Sequence, residues 1–291
     1  MLPDRYLIAG LDALSRAHRT PTWQLEDFKD GHRGAGLIAG YFLARDGLLE
    51  PQAETALMRA LDAEWMARPL VAPMVDEPCA PSELSTLLAV AAACVGSTQG
   101  EVHHTIFLAA ALKALAHRPD LITSTRIAGL CRMEAVYRLA AAPVVPPATA
   151  FDAAAFSSLV LERFCAAAQA YAGRVQNFTG HVLTFGSAVV DLHDLGYDAL
   201  ARQAEVGFHG YAASALLAQQ GPFAMPPKTD PPARTIALGQ AAFWESQPAG
   251  RLEATLAHSL KYSAALLTLL ARSRDPAVEA RSRALAYLIL D

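Results

Sequence analysis

Residues 252–270 read LEATLAHSLKYSAALLTLL, and this stretch decides the fold. It is dominated by Ala and Leu, both strong helix formers, and no alternating β-branched run interrupts it. Between Glu253 and Arg272 the one formally charged residue is Lys261, and His258 precedes it by a helical turn. An ammonium group in such a setting must be paired, neutralised or chemically changed, because burying it alone is costly. On a helix, His258 and Lys261 are about 60° apart in azimuth and about 4.5 Å apart along the axis, so both can reach one centre. Beside a metal in an apolar pocket, the amine would shed its proton, become nucleophilic and capture carbon dioxide as an anionic carbamate. The bland alternative is a lysine that snorkels to water or pairs with a buried carboxylate.

Outward from this segment almost the whole chain reads the same way. Helices are expected over 4–19, 32–45, 51–67, 82–95, 102–117, 120–141, 152–172, 180–193, 196–219, 233–245, 251–272 and 276–290, separated by Gly- and Pro-rich punctuation. The Pro-rich stretches 144–150 and 220–232 bring no change in composition, so residues 1–291 are expected to form one all-α domain; 220–232 could serve as a lid. No repeat of fixed period is evident, although several helices begin alike, with a Gly shortly before a His.

Composition narrows the function. Hydrophobic residues make up 53% and charged residues 18%, below the usual charged share of about 25%, which predicts a well-buried core. The net charge of −4 and the lack of a basic stripe argue against nucleic acid and anionic membrane partners. Leu84–Gly100, an uncharged run rich in Ala, Ser and Thr, falls short of the roughly 18 apolar residues of a membrane span. The N-terminus lacks a signal-peptide core, and Cys79, Cys94, Cys131 and Cys165 show no CxxC spacing, so structural thiols in a cytoplasmic protein are expected. The high apolar share is compatible with a helical homodimer.

Three further histidines, His32, His103 and His181, follow Gly31, Gly100 and Gly180 at the expected helix starts. In a first turn the helix dipole disfavours imidazolium, and neutral imidazole is the form that binds metal. With His258 and Lys261 they suggest a buried metal site. His104 points about 100° away from His103, so only one of the two can aim squarely at a shared centre. His209 is a candidate fifth inward histidine or supporting residue, while His18 and His117, flanked by Arg, read as surface residues.

Four segments resemble the questin oxidase-like family: GHRGAGLIAGYFL (31–43), GEVHHTIFLAAAL (100–112), NFTGHVLTFGSAVV (177–190) and HSLKYSAALL (258–267). The resemblance implies a non-haem iron oxygenase. One branch of that family holds Fe(II) with four histidines and a carboxylated lysine, which match His32, His103, His181, His258 and Lys261. Imidazole and carboxylate oxygen also suit zinc or manganese, and five ligands leave an octahedral ion one open position for dioxygen. The implied substrate is apolar and aromatic or quinone-like, with Tyr262, His104 and His209 as candidate proton-handling residues. Some members use NADPH, but the chain has no Gly-rich nucleotide fingerprint. Two other readings compete. One is a non-catalytic helical small-molecule-binding protein. The other is a metal-dependent phosphohydrolase of the HD type, resting on His193-Asp194.

Overall fold

The structure, a computed structural model, describes residues 2–17, 25–66, 81–98, 102–137, 150–171, 176–217, 239–245 and 253–290. These form helices α1 (Asp4–Arg16), α2 (Leu25–Arg45), α3 (Pro51–Leu61), α4 (Pro81–Ala92), α5 (His103–His117), α6 (Ser124–Tyr137), α7 (Ala153–Tyr171), α8 (Gln176–Asp194), α9 (Asp198–Leu217), α10 (Ala241–Glu245), α11 (Glu253–Arg272), α12 (Pro276–Leu285) and α13 (Tyr287–Leu290). A π-helical turn extends α3 through Met66, and a 3-10 turn at Pro119–Leu121 precedes α6. The architecture is all-α, as the Ala- and Leu-rich periodicity predicts. Residues 144–149 and 220–232, Cys79 and His18 lie outside the described residues.

Four helices make the centre. α2 packs on α5, α5 on α8, α8 on α11, and α11 on α2, closing a ring. The remaining helices wrap it: α1 covers α2, α6 and α4 extend from α1, α7 and α9 cover α8, and α12 sits on α7. One hydrophobic core runs from Leu2 to Ile289. Among the described residues no helix is long and apolar enough to cross a membrane.

Two helix ends depart from expectation in a way that matters for the site. α2 begins at Leu25, seven residues before His32, and α8 begins at Gln176, five before His181. Gly31 and Gly180 are therefore inside helices and are not entry turns. Of these three histidines, His103 alone opens its helix. The C-termini of α2 and α8 match each other. Gly47 and Gly196, each fifteen residues after its helix's histidine, adopt φ of 68° and 82°. Leu48 N donates to Leu43 O at 3.1 Å and Tyr197 N to Leu192 O at 2.9 Å, the closing bonds of a left-handed glycine cap. Asp194 thus belongs to α8 and bonds Arg272; it does not cap the turn.

α1 and α2 approach closely enough that backbones touch. A Cβ on Gly34 would lie 2.7 Å from Gly10 O and 2.8 Å from Leu14 N. Those are fixed backbone atoms, so the helices must part to admit a methyl. Gly34→Ala is expected to cost about 1–3 kcal/mol, read as a lower thermal midpoint with helical circular dichroism retained at 20 °C or so. An unchanged midpoint would show that the crossing is looser than described.

Candidate metal centre

The ring of four helices brings four histidines to one point: His32 from α2, His103 from α5, His181 from α8 and His258 from α11. Their ligand atoms all lie within 4.8 Å of one another. His32, His103 and His181 are at most 1% exposed and His258 is half-buried. Ring centroids are 4.6 Å apart for His32–His103, 4.5 Å for His103–His181 and 4.7 Å for His32–His258.

The nitrogen geometry bears on what this cluster can hold. His32 Nε2 lies 3.1 Å from His258 Nε2 and 3.1 Å from His103 Nε2. An imidazole nitrogen offers one in-plane site, either an N–H or a lone pair. It can satisfy one such neighbour and not both. A central cation satisfies all the lone pairs together. Two nitrogens each about 2.1 Å from a shared ion and at right angles are about 3.0 Å apart, close to the observed spacing. The donor set therefore fits a metal ion.

Electrostatics agrees. Burial, then the charge of Lys261, then that of His258 hold the His181 pKa well below its ordinary value, so its imidazole is neutral and able to bind metal. Burial does this, not a helix terminus. At His103 the chain enters α5 through Val102, a buried valine with φ of 59°. A β-branched residue there costs on the order of 1–3 kcal/mol and starts the helix abruptly at the histidine. Nothing in the sequence marks that strain.

The two glycines before the histidines also have a packing explanation. The ring of Phe107, four residues after His103, crosses Gly31, where a Cβ would overlap it. The ring of Tyr262, four residues after His258, crosses Gly180 in the same way. Each neighbouring helix thus lays an aromatic ring over the glycine before the next histidine. Phe107 meets His32 edge-on at 5.6 Å, and Tyr262 stacks on His258 at 5.2 Å and 25°. The pairs α2–α5 and α8–α11 repeat one arrangement, with Ile106 standing where Lys261 stands.

Lys261 is 4% exposed, with Nζ 5.7 Å from the Phe107 ring centre. It lies one turn beyond His258, at the floor of a cleft enclosing about 600 Å³, open mouth included. The cleft is lined in all four helices by the residues three, six, seven and ten places after the histidine. The four helices therefore run in the same direction, from the histidine layer to the mouth. Seven places on, every helix carries alanine: Ala39, Ala110, Ala188 and Ala265. The sequence holds this signal as H-x6-A, at intervals of 71, 78 and 77 residues. A search for a fixed period misses it because the intervals differ.

Other sequence candidates lie elsewhere. His104 turns away, its Nε2 2.9 Å from the Cys94 carbonyl, with burial pushing its pKa down to about 4. His209 is exposed on α9 beside Phe156 and Phe208 and does not join the cluster. His193 bonds Asp198 at 2.7 Å, so the His193-Asp194 pair forms no metal group among the described residues. His117 bonds the Tyr41 hydroxyl at 3.0 Å. Of the three proton-handling candidates, Tyr262 is the one at the cluster.

In comparison with known proteins, the chain matches no family model, no curated protein and no solved structure.

Behind His104, the Cys94 thiol donates to Glu134 Oε2 at 3.1 Å. Glu134 is fully buried, and burial raises its pKa from 4.5 to about 8 against the opposing thiol bond. Its folded pKa lies above its unfolded one, so its contribution to stability is complete below pH 4.5 and is lost as pH rises toward 8. Glu134→Gln should flatten the fall in stability between those limits, measured by urea midpoints; parallel curves for the two proteins would place an ionised Glu134 in the fold. Gly180→Ala should displace Tyr262 and weaken cobalt(II) uptake about tenfold or more, seen in the visible spectrum; unchanged affinity would show that the ring does not hold the histidines.

Proposed function

We propose that this protein is a non-haem iron-dependent oxygenase acting on an apolar aromatic or quinone-like small molecule. The observation that carries the reading is the convergence of four imidazoles, three buried and one half-buried, one from each of four parallel helices, below a cleft with an apolar wall. In this reading His32, His103, His181 and His258 hold the ion. Lys261, as a carbamate, adds an oxygen donor from the cleft side. Five ligands leave one position open, whereas a structural zinc site is closed at four and usually draws on cysteine. Ferrous iron bound there supplies the one-electron chemistry that lets dioxygen react with a closed-shell organic molecule.

The chain's own residues supply the rest. The alanine and isoleucine walls exclude water and hold the substrate. Tyr262, stacked on His258, is the candidate to give or take a proton at its phenolic oxygen. Resemblance in four short segments supports the family reading, and their order along the chain agrees with it. We assign no nicotinamide site.

One observation favours a second reading. The cleft touches Lys261 but none of the four histidines, as in a helical ligand-binding protein whose histidine layer is structural. Metal analysis of protein purified without added metal or affinity-tag nickel separates the two. About one iron per chain, with oxygen uptake on adding quinone-like substrates, supports the oxygenase. No metal, and no uptake of ferrous iron under anaerobic conditions, sinks it. His181→Ala should lose most of the metal and keep its helicity. Lys261→Arg should abolish turnover, because guanidinium forms no carbamate; normal turnover would remove the carboxylated lysine.

A further inference from the structure

The cleft is layered and has two chemically different sides. Counting from the histidines, the residues three places on are Ala35, Ile106, Thr184 and Lys261, and those ten places on are Phe42, Lys113, Asp191 and Thr268. Three residues advance a helix by about 4.5 Å and seven by about 10.5 Å. The alanine ring thus sits about 10 Å above the histidines, and its small side chains keep the bundle axis open. Larger residues at these four positions would close it.

At the three, six and seven positions, the α2 and α5 wall is wholly apolar: Ala35, Ile38, Ala39, Ile106, Ala109 and Ala110. At the same positions the α8 and α11 wall carries the hydroxyls of Thr184 and Ser187 and the side-chain nitrogen of Lys261, with alanine at the rest. Ser187 is 7% exposed, lines the cleft and has no hydrogen-bond partner among the described residues. Its hydroxyl is open to the cleft, where a ligand atom can bond it in place of water. At the mouth, Lys113 of α5 pairs with Asp191 of α8 at 2.9 Å, with Asp46 nearby on the rim. No uncompensated cation waits there for an anionic ligand.

We propose that the cleft binds an uncharged, flat and slender molecule end-on along the bundle axis, with its oxygen functions along one long edge. That edge faces α8 and α11, where Ser187 bonds it, and the bare edge faces α2 and α5. The ring of Ala39, Ala110, Ala188 and Ala265 sets the admitted width. The inference rests on reading the cleft as the substrate site, and it adds the substrate's shape and polarity and the residues that select them.

The test is direct binding to the full chain without loaded metal. The probes are 2,7-dihydroxynaphthalene, with both hydroxyls on one long edge, and 2,6-dihydroxynaphthalene, with them on opposite edges. Followed by probe fluorescence, the 2,7 isomer should bind about fivefold more tightly, the worth of one added hydrogen bond. Ser187→Ala should weaken both isomers about fivefold, because either can turn one hydroxyl to Ser187. Ala188→Leu, which enlarges a residue lining the cleft, should abolish binding of both with helicity retained. Equal affinities, no binding of either isomer, undiminished affinity of both in Ser187→Ala, or undiminished binding in a folded Ala188→Leu would overturn the proposal. If Ala188→Leu does not fold, Ser187→Ala decides. The predicted isomer preference without oxygen uptake by ferrous-loaded protein would leave this inference standing and remove the oxygenase. Oxygen uptake with equal isomer affinities would do the reverse.

Discussion

The rest of the structure depends on the constraint that one imidazole nitrogen cannot serve two nitrogen neighbours. His32 Nε2 faces His103 and His258 at the same 3.1 Å. Imidazoles brought this close in the core have ring nitrogens that a shared cation can answer at once. Such a layer demands helices that present their histidines at one height. Parallel α2, α5, α8 and α11 do so, and parallel neighbours in turn require the intervening helices to carry the chain back each time.

That requirement accounts for the glycines and the small residues. Gly31 and Gly180 exist where Phe107 and Tyr262 cross, so that rings from adjacent helices hold the histidine layer from the side. Gly10 and Gly34 let α1 press on α2 and fix its height. The alanines seven places beyond each histidine hold the axis open above the layer. Size is spent in opposite directions on the two sides of a glycine or alanine: it is removed where a ring must pass or a cavity must remain, and the bulk returns one turn away.

The departure from symmetry carries the functional meaning. The two helix pairs match in their Gly-His step, their crossing aromatic and the glycine caps of α2 and α8. They differ where Lys261 replaces Ile106 and where Thr184 and Ser187 replace Ala35 and Ile38. Below the mouth, the α2 and α5 half of the cleft is therefore apolar and the α8 and α11 half carries the polar atoms. A scaffold of matched halves provides the shape, and the few unmatched side chains provide direction.

By itself the sequence determined the all-α class, because Ala and Leu periodicity is a local property. It also pointed to His32, His103, His181, His258 and Lys261, because an ionisable residue in an apolar helix is a local anomaly. It misplaced the role of Gly31 and Gly180, since whether a glycine serves a turn or a crossing ring depends on a residue 76 or 82 places away. It left His103 and His104 undivided, and the Cys94 carbonyl, which claims His104, comes from another helix end. It held the H-x6-A signal without revealing that the four alanines share a ring. Only the tertiary structure decided these, because convergence, parallel direction and the polarity of a cleft's two walls are relations between helices and are written in no one of them.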